Sequence, residues 1–220
     1  LTSCKEVYGG LDLSETNDLT AMVLIGKINN IWHVRPWFWL PAEGLADRAR
    51  NDHVPYDQWF DEGLIETVEG SAVTYDKVAP RVIEIMAQHK MRKMAFDRWN
   101  FMHFKPWLLA GKISERVIEE KWVEFGQGTA SMSPALRELE ARILNGEIAH
   151  GNNPIMNMCM ANAVVVEGKD SVRDVGKDSS NRKLSKKRST GRIDGAVALA
   201  MAMGVAPLAK PKVDIASLIG

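Results

Sequence analysis

Three aspartates sit in stretches that otherwise read as core. Asp12 stands in Tyr8-Gly-Gly-Leu-Asp-Leu-Ser-Glu-Thr, Asp97 in Met94-Ala-Phe-Asp-Arg-Trp-Asn, and Asp194 in Gly191-Arg-Ile-Asp-Gly-Ala-Val-Ala-Leu-Ala. The first two lie at or near the ends of apolar runs that read as strands, and the third opens an apolar helix. Burying a carboxylate is costly unless it is paired or bound to a cation. Residues so far apart in sequence can meet only through the fold, and such a meeting is what a site for two divalent cations requires. Taken singly, each has a plainer reading. A strand-end Asp often forms a turn, and Asp194 could be a first-turn acid favoured by the helix dipole. That plainer reading weakens for a helix with Ile193, Val197, Ala200, Met201 and Gly204 on one face and small Gly195, Ala196 and Ala198 beside them. Such a helix is built to pack closely against a sheet, with Asp194 near the strand ends.

Along the chain, residues 6–13 read as a first strand with Gly9-Gly10 near its centre, followed by a polar turn over 14–18. Residues 19–28 and 31–40 are rich in β-branched and aromatic side chains. They are joined by Asn29-Asn30, a hairpin signal. Short helices are expected within 41–52 and 57–62, a strand over 64–68, and a helix over 75–90 in which Pro80 implies a kink or a later start. A buried strand over 93–97 ends at Asp97. A helix near 101–110 and a strand near 122–125 follow. The spacing predicts a helix over 133–144, with Ser133 as N-cap and Pro134 at the first helical position. A short strand over 147–150, a helix starting at Asn153-Pro154, a hairpin over 167–173 and a last helix over 192–204 complete the pass. Hairpin strands first and alternating strands and helices after fit α/β architecture, a mixed sheet with helices on both faces. Strand 1 would be central, antiparallel to strand 2 and parallel to the strand ending at Asp97. Asp12 and Asp97 would then lie side by side, a ribonuclease-H-like arrangement. Residues 1–205 are expected to form this domain and 206–220 a flexible tail.

The chain is large enough for a substantial core, and its 45% apolar and 25% charged residues are ordinary for a globular domain. No apolar run approaches a membrane span, and no charged segment followed by an apolar one opens the chain, so no secretory signal is expected. Cys4 and Cys159 are isolated and read as reduced thiols. The net charge of zero conceals an asymmetry: residues 169–192 hold nine Lys or Arg against three Asp, a local charge of +6. Such a block is either a solvated loop or a phosphate contact. Arg182, Lys183, Lys186, Lys187, Arg188 and Arg192 are its candidates for nucleic-acid binding.

Other chemistries find less support. Oxygen ligands suit Mg2+ or Mn2+ rather than zinc, and the five histidines show no ligand spacing. His150 reads as a loop residue or as part of a substrate groove. Leu11-Asp-Leu-Ser-Glu-Thr-Asn resembles the first phosphate loop of the actin and heat-shock ATPases, but Ser14 stands where that loop usually has Gly. No second phosphate loop and no GxxxxGK[ST] motif follow, so no ATP binding is expected.

Read in order, the motifs resemble the nuclease domain of tailed-phage terminase large subunits. The resemblance rests on Asp12-Leu-Ser-Glu-Thr with Asp18-Leu-Thr-Ala, Pro55-Tyr-Asp-Gln-Trp, Phe96-Asp-Arg-Trp-Asn, Gly126-Gln-Gly with Met132-Ser-Pro, His150-Gly-Asn-Asn-Pro, and Gly191-Arg-Ile-Asp-Gly-Ala-Val-Ala-Leu. It implies a metal-dependent endonuclease that cuts concatemeric double-stranded viral DNA. Asp12, Asp97 and Asp194 would hold two Mg2+ or Mn2+ ions, and Lys186 or Lys187 would approach the metals. It also implies an ATPase domain before the nuclease, consistent with a chain that begins at Leu1, as well as a small terminase subunit and a portal as partners. The host bacterial cytoplasm would be the place of action, with no membrane partner. The alternatives are a recombination or Holliday-junction nuclease of the same fold, and a catalytically silent DNA-binding or motor-docking module.

Overall fold

A computed structural model describes residues 1–13, 19–167 and 181–207. In chain order the elements are β1 (Val7–Asp12), β2 (Thr20–Ile28), β3 (Ile31–Pro41), α1 (Leu45–Asp52), α2 (Tyr56–Asp61), β4 (Glu66–Val68), α3 (Tyr75–Ala87) and β5 (Met91–Phe96). They continue as α4 (Arg98–Ala110), α5 (Glu115–Lys121), β6 (Trp122–Glu124), α6 (Thr129–Leu144), β7 (Ile148–Ala149), α7 (Pro154–Asn162), β8 (Val165–Glu167), β9 (Arg182–Leu184) and α8 (Asp194–Val205). The expected turn over 14–18, all but the first residue of the expected hairpin over 167–173, and the tail beyond Pro207 lie outside the described residues.

The main sheet runs β4-β3-β2-β1-β5-β6, with β7 pairing along β3. β1 is antiparallel to β2 and parallel to β5, the ribonuclease-H-like arrangement expected. Asn29 and Asn30 turn the β2–β3 hairpin with φ of 49° and 66°, left-handed backbone that Asn tolerates better than most residues. Strand alternation divides the core into two layers. Tyr8, Ala21, Val23, Ile25 and Phe38 face α6, α7 and α8. Val7, Leu11, Met22, Leu24 and Met94 face α3, α4 and α5. A two-stranded sheet of β8 and β9 flanks the first layer.

α8 is buried from Asp194 through Met203, as expected of a helix apolar on all sides. It lies directly on β1. A Cβ on Gly10 would come within 2.0 Å of the Ala198 carbonyl oxygen and 2.9 Å of the Ala202 nitrogen. The backbones approach this closely because Gly10 has no side chain.

Several local expectations are revised. α6 begins at Thr129, so Ser133 and Pro134 lie inside the helix rather than at its start. The buried Ser133 hydroxyl instead accepts the Arg182 backbone N–H at 3.2 Å, a contact across 49 residues that no local pattern carries. α3 starts at Tyr75 with Pro80 inside it, which sets aside the later start. α5 was not anticipated. It is only seven residues long, too short for a periodic signal, and Ser114 caps it by accepting the Val117 N–H.

Candidate active site

Asp12 is the last residue of β1, on the same face as Tyr8 and Gly10, and so points into the layer that holds α8. It is 3% exposed. Asp194 is the first residue of α8 and 1% exposed; there the partial positive charge of the helix N-terminus favours a carboxylate. The close fit of α8 against Gly10 sets the two acids at the same end of the sheet.

Lys186 joins them. Its Nζ lies 3.0 Å from Asp12 Oδ2 and 2.6 Å from Asp194 Oδ1. Its side chain is 44% exposed overall, yet the ammonium reaches two acids that are almost completely covered. Burial opposes its charge, but the pull of Asp12 and then of Asp194, with the hydrogen bonds they accept, outweighs this and raises the lysine above its ordinary range. The loop carrying Lys186 is drawn back by Arg188 and Ser189, whose N–H groups both donate to the Ser185 carbonyl. Just upstream, β9 is fastened to α6 by the Ser133 contact and by an Arg182–Glu140 ion pair at 2.8 Å.

The structure adds Gln127, whose Nε2 donates to Asp12 Oδ1 at 3.2 Å. The two Asp12 oxygens thus have different partners. Gln127 sits in the Gly126-Gln-Gly128 turn between β6 and α6, quoted above as a motif but without a role.

Asp97 lies one residue beyond Leu11–Phe96, the last pair of the β1–β5 register, and therefore at the strand end beside Asp12. It caps α4, with Oδ1 accepting the Trp99 N–H at 3.1 Å. Asn100 ties the same helix turn to the Leu13 carbonyl at 2.6 Å. Among the described residues no three His, Cys, Asp or Glu side chains stand together as a ready metal-binding group. Asp12 and Asp194 converge on one cation, while Asp97 shares their end of the sheet and engages its own helix.

A cleft of ≈ 640 Å3 opens beside this group, lined by residues that include Asp52, Tyr56, Asn162, Lys186, Arg192 and Asp194. Of the basic candidates, Lys186 and Arg192 line it. Lys187 and Arg188 are exposed, Lys183 is half-buried on β9, and Arg182 is paired with Glu140. Arg192 Nε lies 3.0 Å from both Asp52 Oδ2 and the Tyr56 hydroxyl. His150 is exposed and is not among the residues lining the cleft. Its motif has a structural use, since Asn153 caps α7 by accepting the Ile155 and Met156 N–H groups. Cys4 and Cys159 are free and buried, and burial pushes the Cys159 thiol up to about 12.

Residues 2–209 match the family of the terminase large subunit, endonuclease domain. The terminase large subunit of Enterobacteria phage HK97 is 44% identical over 201 residues, which are 90% of this chain and 37% of that protein. Protein YmfN of Escherichia coli (strain K12) is 28% identical over 206 residues, 90% of this chain and 41% of that protein. The chain spans well under half the length of these curated relatives. The crystal structure of the HK97 large terminase superposes with a TM-score of 0.83 at 41% identity, covering 94% of this chain and 40% of that one. The large terminase nuclease from thermophilic phage G20c has the same fold, with a TM-score of 0.57 at 11% identity and coverage of 91% and 82%. A family match over residues 2–209, a relative of 44% identity and a shared fold agree: the chain belongs to the endonuclease-domain family of terminase large subunits.

Proposed function

We propose that this chain is the endonuclease part of a tailed-phage or prophage terminase large subunit, and that it cuts concatemeric double-stranded DNA by metal-dependent phosphodiester hydrolysis. The observation that carries this reading, in a chain of this family, is the convergence of two almost fully buried carboxylates on one positive charge. Asp12 and Asp194 hold the Lys186 ammonium between them, and carboxylate oxygens are the ligands that Mg2+ and Mn2+ take. The donor set therefore fits a divalent cation.

Asp12 and Asp194 would be the principal ligands. Asp97 would be the third, since its helix cap uses Oδ1 alone and a carboxylate has a second oxygen. When bound, two Mg2+ or Mn2+ ions would supply activation of water and neutralisation of charge at the leaving 3′ oxygen. The protein's own groups would do the rest. Gln127 orients Asp12, Lys186 limits the repulsion between the two acids, and the exposed Lys187 and Arg188 with half-buried Lys183 hold phosphates without reading bases. An ATPase domain preceding this one in the whole protein, a small terminase subunit and a portal complete the proposal, as does action in the host bacterial cytoplasm. No described helix is long and apolar enough to cross a membrane.

The test is incubation of the chain with supercoiled plasmid in Mn2+, with a chelator as control and Asp12→Asn alongside. Wild type should nick and then degrade the plasmid, while chelator and Asp12→Asn should each stop it. Cleavage that survives the chelator, or Asp12→Asn cutting at the wild-type rate, would refute the assignment.

A further inference from the structure

Pro55-Tyr-Asp-Gln-Trp carries part of the family resemblance. Tyr56, at the start of α2, is fully buried. A buried phenol needs a hydrogen-bond partner, and Tyr56 donates to Asp52 Oδ2 at 3.0 Å. Burial, first of all, raises its pKa, so the hydroxyl keeps its proton and remains a donor. The same hydroxyl and the same carboxylate oxygen each accept from Arg192 Nε, and the guanidinium carbon lies 6.0 Å from the centre of the Tyr56 ring. Behind the arginine, Asn162 donates to the Arg192 carbonyl at 3.4 Å and accepts from the Thr190 hydroxyl at 3.3 Å. Arg192 comes two residues before Asp194, and all three members of the trio line the ≈ 640 Å3 cleft.

We propose that Asp52 and Tyr56 are positioning residues that hold the Arg192 guanidinium in the cleft wall to take a backbone phosphate of the DNA strand lying across Asp12 and Asp194. This rests on the nuclease reading above and adds the phosphate site next to the bond that is cut. Charge alone does not need such fixing, because a mobile lysine on the loop would supply it. Fixing serves geometry. A guanidinium is a planar fork with five donors, able to serve a carboxylate on one edge and phosphate oxygens on another. Holding it in place before binding removes the cost of ordering a long side chain. A brace between α1 and the loop, with no ligand in view, would gain little from this pair, since the Asp52 side chain is 33% exposed and a partly exposed ion pair is a weak source of stability.

The experiment measures binding of a short blunt duplex without metal across a salt series, beside Mn2+-dependent cleavage kinetics and thermal denaturation. Arg192→Gln should weaken binding about tenfold and lower the slope of log K against log salt by about one, the loss of one phosphate contact. Asp52→Asn and Tyr56→Phe keep the arginine's charge but loosen it, so each should raise Kd and KM roughly three- to fivefold, with the loss appearing there rather than in kcat. Arg192→Lys should not restore wild-type affinity, because it lacks the fork. If Asp52→Asn and Tyr56→Phe lower Tm while Kd and KM stay at wild-type values, the trio is only a brace and the proposal fails. It fails equally if Arg192→Gln leaves the salt slope unchanged. Because binding is read without metal, variants that show these binding effects beside a wild type that cuts nothing in Mn2+ would sustain the phosphate site and remove the hydrolysis reading instead.

Discussion

On one face of the sheet, α8 rests almost backbone to backbone on β1; on the other, α3 and α4 are held away from it by large side chains. The first contact is made of Gly10, Ala198 and Ala202. The second is filled by rings: Phe96 and Phe101 stack with centroids 3.7 Å apart, and Trp122 lies 5.1 Å from Phe101 and 6.0 Å from Phe104. Both faces bury apolar surface, but only the close one carries Asp12 and Asp194. Large side chains fill volume and adapt by changing rotamer. Small residues leave the backbones no room to shift, so a helix seated on them places its first residue with little error. A site that depends on two acids from different elements meeting one cation belongs on the face where the helix cannot slide.

Adjacent glycines of β1 test this directly, because Gly9 and Gly10 face opposite layers. The largest effect is expected for Gly10→Ala, whose methyl would meet backbone atoms of α8. It should destabilise the fold by ~3 kcal/mol or more and abolish cleavage, measured by urea denaturation and plasmid nicking. If cleavage survives at near the wild-type rate, close seating of α8 does not set the site.

Next is Leu108→Ala, a fully buried position on the ring-filled face. A cavity there should cost about 2–5 kcal/mol, while cleavage per folded molecule stays within twofold at a temperature where the variant is folded. A comparable loss of cleavage would erase the distinction between the faces.

Lys186→Ala sharpens the account of the close face. Without the ammonium, two buried carboxylates confront each other, and metal-free stability should fall by about 1–3 kcal/mol, the lysine's partial exposure holding this below a fully buried pair. Mn2+ should then raise Tm more in the variant than in wild type, because no lysine competes and a ligand stabilises the state it binds. An equal or smaller Mn2+ shift would count against Lys186 standing in for a metal's charge.

The smallest effect is expected for Gly9→Ala. Its methyl meets Met94 Sδ at 2.6 Å and Leu24 Cδ2 at 2.7 Å, both ends of side chains able to move. A loss of about 1 kcal/mol with cleavage retained is expected. A cost equal to that of Gly10→Ala would mean that both faces are equally rigid.

Much of this architecture was legible in the residues. The hairpin at Asn29-Asn30, the cap at Asn153-Pro154, the buried strand ending at Asp97 and the wholly apolar last helix each follow from short-range rules. These rules concern which side chains alternate, which backbone angles Asn accepts, and which positions lack a donor. They set Asp12 and Asp97 at or near strand ends and Asp194 at a helix start, while the expectation that the two strands pair came from the order of the elements along the chain. Only the tertiary structure decided the pairings. Gln127 reaches Asp12 across 115 residues, Arg192 reaches Tyr56 across 136, and Ser133, which has every local mark of a helix cap, spends its hydroxyl on β9 instead. A polar side chain offers the same donors and acceptors wherever it stands, and its sequence neighbours do not reveal which distant group the packed core will bring within hydrogen-bonding distance. Hydrophobic periodicity is a property of a segment, whereas a hydrogen-bond partner is a property of the whole fold.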